Sequence, residues 1–96
     1  MNPNLSLIIP CYNEEVILRN SINRILEVLN SARFSYEIIL IDDCSMDGTV
    51  NVIKQLVKEH PETAIKPIFH KQNEGRGKTV NDGILNSVAE IVGFID

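Results

Sequence analysis

The sequence has no basic run and no excess of positive charge: nine Lys and Arg stand against thirteen Asp and Glu, for a formal net charge of −4. Apart from Arg76 and Lys78 the cations are scattered. Without a basic face there is no electrostatic footprint for nucleic acid. No apolar run approaches the ~20 residues that span a bilayer. The N-terminus has neither a basic leader nor an apolar core of signal length before the charged pair Glu14 and Glu15. These absences predict a cytoplasmic setting for this segment, with any membrane association left to regions outside it. Cysteine is scarce too. Cys11 and Cys44 stand far apart with no CxxC and no His partner, which suits neither a zinc site nor a disulfide framework. They are expected to be small, reduced residues; a disulfide would require the two strand ends to lie side by side.

What is present is ordinary for one small globular domain: 96 residues, 44% hydrophobic and 23% charged. Short apolar runs alternate with helical patterns. Residues 5–10 form a first apolar run ended by Pro10. From Glu14 to about residue 30, apolar side chains recur at Leu18, Ile22, Ile25, Leu26 and Leu29, the spacing of a helix with Asn13 as N-cap. Residues 36–42 contain Ile38-Ile39-Leu40-Ile41, apolar on both faces, as a buried parallel strand requires. Asp47 is an N-cap for a helix over 48–60, and 64–70 reads as a third strand. Its Pro67 cannot donate to a ladder and places that strand at a sheet edge. A polar loop over 71–77, a helix over 78–87 and a strand over 91–95 complete the pattern. Four strands separated by three helices predict an α/β fold, a Rossmann-like βαβαβαβ parallel sheet with right-handed crossovers.

Each strand ends in polar or special residues: Pro10 to Glu14, then Asp42-Asp43, then Asn73 to Gly77, then Asp96. In open α/β sheets ligands bind at the carboxyl edge, so four clusters converge on one crevice. Adjacent strand residues face opposite sides, so one of Asp42 and Asp43 faces a ligand, as an acceptor for a base N–H or ribose hydroxyl. The alternative is turn chemistry, since aspartate often closes strands. The loop Asn73-Glu74-Gly75-Arg76-Gly77-Lys78-Thr79 offers amides, cations and a helix N-terminus to phosphate, or is merely a solvated loop. It fits neither common phosphate motif. The P-loop's first glycine falls on Gln72, and the third glycine of the dinucleotide fingerprint falls on Val80. Tyr12 offers a ring to a nucleobase. His60 resembles a solvated helix end, and His70 is a minor candidate for ligand contact.

Together these clusters resemble the family-2 glycosyltransferases. The carriers are Ile8-Ile9-Pro10-Cys11-Tyr12-Asn13-Glu14-Glu15, the stretch Glu37-Ile38-Ile39-Leu40-Ile41-Asp42-Asp43-Cys44-Ser45-Met46-Asp47-Gly48-Thr49, and Asn73-Glu74-Gly75-Arg76-Gly77-Lys78 with Asn81-Asp82-Gly83. The Tyr-Asn-Glu-Glu opening is most similar to the branch with dolichol-phosphate mannosyltransferases and other polyprenyl-phosphate glycosyltransferases. The resemblance implies an A-type glycosyltransferase fold, sheet order 3-2-1-4, with residues 1–96 as the nucleotide-sugar-binding N-terminal segment. It implies that Pro10, Tyr12 and Glu14 line the nucleoside pocket, Asp43 binds the base, and Gly75, Arg76 and Lys78 lie near the phosphates. Asp42 is then mainly structural.

Asp96 matches the first aspartate of the family's Asp-x-Asp motif, which holds Mg²⁺ or Mn²⁺ on the donor diphosphate. The second aspartate, any catalytic base and the acceptor pocket fall outside this sequence. The implied reaction is inverting transfer of a sugar from a UDP- or GDP-linked donor to an acceptor, polyprenyl phosphate among the candidates. The 96-residue segment alone is expected to be inactive and, with an exposed apolar fourth strand, prone to self-association. The competing class is a nucleotide- or phosphate-binding module without transferase activity.

Overall fold

A computed structural model describes residues 2–95. The elements run β1 (Leu5–Cys11), α1 (Leu18–Ser31), β2 (Tyr36–Asp42), α2 (Thr49–Glu59), β3 (Ile65–Phe69), α3 (Arg76–Leu85) and β4 (Ile91–Phe94). All pairings are parallel and the order is β3-β2-β1-β4. The expected topology is thus present, with β3 and its Pro67 on an edge. No helix among the described residues is long and apolar enough to cross a membrane.

Alternation along the strands divides the core. Leu7, Ile9 and Cys11 of β1, Ile38 and Leu40 of β2 and Ile65 of β3 face α1 and α2, meeting Leu18, Ile22, Leu26, Leu29, Ile53 and Leu56. The other face carries Ile8, Ile39 and Ile41 with Ile68 beside them. There α3 approaches through Gly83. A methyl at that position would lie 2.4 Å from Ile8 Cγ2 and 2.8 Å from Ile41 Cδ1, so the helix sits on the sheet only because the side chain is missing. The connection that follows α3 is pinned at the strands' amino ends. Buried Glu37 accepts from Val88 N–H (2.9 Å) and pairs with Lys66 (2.6 Å), while Ser6 Oγ accepts from Ala89 N–H (3.1 Å). This anchorage aims the amino end of α3 at the carboxyl edge of the sheet.

The starts of the first and third helices depart by two residues or more from the periodicity. The first helix starts at Leu18 rather than Glu14, and Asn13 does not cap it. Asn13 has φ +51°, outside the extended region that N-caps use, and its groups bond the next loop: its N–H donates to Ser45 Oγ (2.9 Å) and its Oδ1 accepts from Met46 N–H (2.8 Å). Glu14 N–H reaches Thr49 Oγ1 (2.9 Å), and Glu15 Oε1 accepts from Gly48 N–H (3.0 Å). The residues expected to open the helix instead staple the loops after β1 and β2 together. The third helix begins at Arg76 rather than Lys78, because Gly75 at φ +89° turns the chain and its carbonyl accepts from Thr79 N–H (3.1 Å). Asp47, the expected cap of α2, does act at that helix's start. Its Oδ1 accepts from Thr49 N–H at 2.9 Å, one residue beyond the assigned N-cap Gly48.

Candidate functional site

Strand order reverses at β1, and ligands of open α/β sheets bind at such a reversal, outside the carboxyl ends. A crevice of about 370 Å³ lies there, lined by Pro10, Cys11, Tyr12, Glu14, Asp43, Asn73, Gly75, Arg76 and Thr79. The β1 end with Asp43 beside it supplies one wall, and the start of α3 the other. Six of the expected binding residues are brought together: Pro10, Tyr12, Glu14, Asp43, Gly75 and Arg76. Lys78 does not line the crevice; its ammonium lies 3.0 Å from Asp82 and 3.9 Å from Glu74. Asp96 lies outside the described residues.

Asp42 and Asp43 separate as alternation requires. Asp42 is fully buried and its Oδ2 accepts from Ser45 N–H (3.0 Å), closing the turn after β2. Asp43, 5% exposed, reaches the crevice. Its Oδ1 accepts from Glu74 N–H (2.8 Å) and meets His70 Nδ1 (2.9 Å), and its Oδ2 accepts from Gly75 N–H (3.0 Å). Burial pushes this carboxyl's pKa up, but the bonds from His70 and the two amides outweigh it and hold the group below its ordinary value. Asp43 is therefore a fixed, ionised acceptor. The same bonds spend the Glu74 and Gly75 amides on Asp43, so these two do not serve an incoming phosphate.

Around Glu14 the field is mixed. Burial pushes the Glu14 carboxyl up, Arg76 draws it back in part, and Asp47 adds to the rise. Arg76 thus places positive charge at the crevice beside Glu14. Tyr12 is 46% exposed, a ring at the rim available for stacking. Burial, reinforced by Glu14 and Asp42, pushes the Cys11 thiol up to about 12, so it lines the crevice as a small apolar group. Both cysteines are free. Their strand ends are adjacent, but Cys11 Sγ turns to Ile9 O and Cys44 Sγ to Lys71 O.

Sequence reasoning did not single out Cys11, Asn73 or Thr79 as lining residues, although the last two stand in the candidate phosphate loop, and it gave His70 too little weight. His70 lies 2.9 Å from both Asp43 and Asp82 with its side chain 6% exposed. The missing signal is register: Asp42 pairs with Phe69, which sets the next residues, Asp43 and His70, side by side. His70, Glu74 and Asp82 bring one donor atom each within 4.8 Å of one another, the spacing of a metal cluster. Both ring nitrogens already meet carboxylates and Lys78 sits on Asp82, so the group is closed as an ion-pair network.

A family model described as "Glycosyl transferase family 2" matches residues 6–96. A dolichyl-phosphate beta-glucosyltransferase of Dictyostelium discoideum is 36% identical over 97 residues, covering 96% of this chain and 30% of that protein. The chain thus spans about 30% of the length of that relative. The mannosyltransferase PcManGT from Pyrobaculum calidifontis, solved with GDP-Man and Mn²⁺, superposes with TM-score 0.83 at 23% identity, over 96% of this chain and 26% of that one. S. aureus TarS 1-349 in complex with UDP superposes with TM-score 0.72 at 30% identity, over all of this chain and 27% of that one. These likenesses carry the A-type glycosyltransferase fold, of which the described elements form the N-terminal part.

Proposed function

The chain belongs to glycosyl transferase family 2, and from that premise we propose that residues 1–96 bind the nucleotide of a UDP- or GDP-linked sugar. The observation that carries this reading is Asp43, an ionised carboxylate held by three donors at the wall of a crevice of nucleotide dimensions. A fixed carboxylate with one acceptor position left on Oδ2 suits the N–H of a base, because it selects a donor and costs little reorganisation on binding. Tyr12 would stack on the base, with Pro10 and Glu14 beside the nucleoside. Arg76 would meet the diphosphate, while Lys78, facing Asp82 and Glu74, contributes only through its longer-range field.

The reaction we propose for the whole protein is transfer of the sugar to an acceptor with inversion, a lipid phosphate such as polyprenyl phosphate being the acceptor class. Likeness to a dolichyl-phosphate glucosyltransferase supports that class. Such an acceptor would bring the protein to the cytoplasmic surface of a membrane. We assign Asp96, next after Ile95 and matching the first aspartate of the family's Asp-x-Asp motif, as a carboxylate that would hold Mg²⁺ or Mn²⁺. When bound, the ion supplies Lewis-acid stabilisation to the departing nucleoside diphosphate. The 96-residue segment is proposed to bind donor without transferring sugar.

Calorimetry with UDP and GDP tests the donor site. The chain should bind at least one of them weakly, and Asp43→Asn should weaken that binding by about tenfold, the value of one charge-assisted hydrogen bond. Equal binding by both proteins would remove Asp43 from the site. Binding of neither nucleotide by the parent chain would remove the donor-site reading itself.

A further inference from the structure

The geometry points to His70 as a positioning residue of the donor site, its doubly protonated ring holding the Asp43 carboxylate in place and tying it to α3 through Asp82. The inference rests on the donor-site reading above. Nδ1 lies 2.9 Å from Asp43 Oδ1 and Nε2 lies 2.9 Å from Asp82 Oδ2, so both ring nitrogens face oxygens. Each of those oxygens belongs to a group kept ionised from its other side. Asp43 takes the Glu74 and Gly75 amides, and Asp82 takes Lys78 at 3.0 Å. Neither carboxylate can donate, so only a ring with two N–H groups satisfies both contacts. A neutral ring would turn a lone pair against one carboxylate.

The charged groups facing the ring come from three segments of the chain: Asp43 after β2, Glu74 (3.7 Å from Nδ1) in the loop before α3, and Asp82 on α3. Lys78, one turn before Asp82, is bonded to it. Burial pushes the imidazolium's pKa down, but the two carboxylate bonds and Glu74 outweigh it and raise it above the ordinary 6.5. The sign of the linkage follows. The clamp is fully present below pH 6.5 and is lost as pH rises through the higher folded value. At the acid end the Asp43 contribution is present above pH 3.8 and is lost as pH falls through its lowered value.

Loss of the ring proton should release Asp43 or the start of α3, both walls of the crevice. UDP and GDP affinity should then fall with rising pH by about tenfold, the value of one charged hydrogen bond at the base contact. The experiment combines ¹⁵N spectra of the imidazole with calorimetry of both nucleotides from about pH 6 to 9, a range chosen around the ordinary His value. It uses this chain and its His70→Gln and His70→Ala variants, with circular dichroism confirming that each is folded. The parent ring should carry both protons at pH 6.5 and lose one at the midpoint where affinity falls. His70→Gln, which retains a donor but cannot titrate, should bind more weakly at the acid end and lack that midpoint. Any ionisation of the nucleotides themselves appears in both proteins and cancels in the ratio. A singly protonated parent ring at pH 6.5, or a folded His70→Gln with the parent's affinity and profile, overturns the proposal. If the parent binds neither nucleotide while its ring is doubly protonated, the donor site fails instead, and His70 is reduced to a structural tie.

Discussion

A thiol at the end of β1 faces a surrounding that disfavours its anion. Cys11 is 1% exposed and lies in the field of Glu14 and Asp42, which add to burial in raising it from 9.0 to about 12. Three units is about a thousandfold less thiolate at any pH below the ordinary value. Alkylation by iodoacetamide at pH 8 should therefore label Cys44, which is partly exposed, and spare Cys11 until the chain is unfolded. Mass spectrometry of the labelled peptides checks this; prompt labelling of Cys11 in the folded chain would show that the β1 end is open. Cys11 and Pro10 offer apolar contact at the crevice without competing for its hydrogen bonds.

At the scale of elements, the contrast between two glycines of α3 tests how the helix is placed. Gly83 rests on Ile8 and Ile41, whereas a methyl at Gly77 would meet nothing within 4 Å. Ala is favoured over Gly in a helix by about 1 kcal/mol. At Gly77 that gain stands alone, so Gly77→Ala should stabilise by about 0.5–1 kcal/mol. At Gly83 it is overcome by an overpacking cost of about 1–3 kcal/mol or more. Urea unfolding of both variants should move the midpoint in opposite directions; a Gly83→Ala protein as stable as its parent would mean that α3 stands farther from the sheet. Neither distance is legible in sequence, where both residues look like loop or weak-helix glycines. Alternation along 38–43, by contrast, was enough to separate Asp42 from Asp43, with the family resemblance choosing Asp43 for the ligand side, and Pro67 was enough to put β3 on an edge. What the pattern left open was long-range: the register that brings His70 to Asp43, and the bonds that draw residues 13–15 away from the first helix to the loop after β2.

The whole molecule leaves its apolar surface unevenly covered. Leu85 is 74% exposed, Ile91 64% and Phe94 58%, while the sheet's opposite edge is the short β3 with its proline. On the α1 side, beside Ile95, Leu5, Leu7, Ile25, Val28 and Leu29 line an apolar groove of about 360 Å³ with Arg24. β4 thus has an edge with no strand beyond it among the described residues and exposed apolar side chains along it. An unprotected edge of this kind recruits a further strand. We therefore expect this 96-residue chain to self-associate through β4, seen as a concentration-dependent mass in sedimentation velocity. Phe94→Lys should suppress that association, because a charge on an edge strand opposes pairing while an exposed side chain contributes little to the fold. The crevice lies at the carboxyl ends of β1 and β2, so nucleotide binding should survive the substitution. If Phe94→Lys leaves the association unchanged, β4 is not the contact, and the groove under α1 becomes the surface to mutate next.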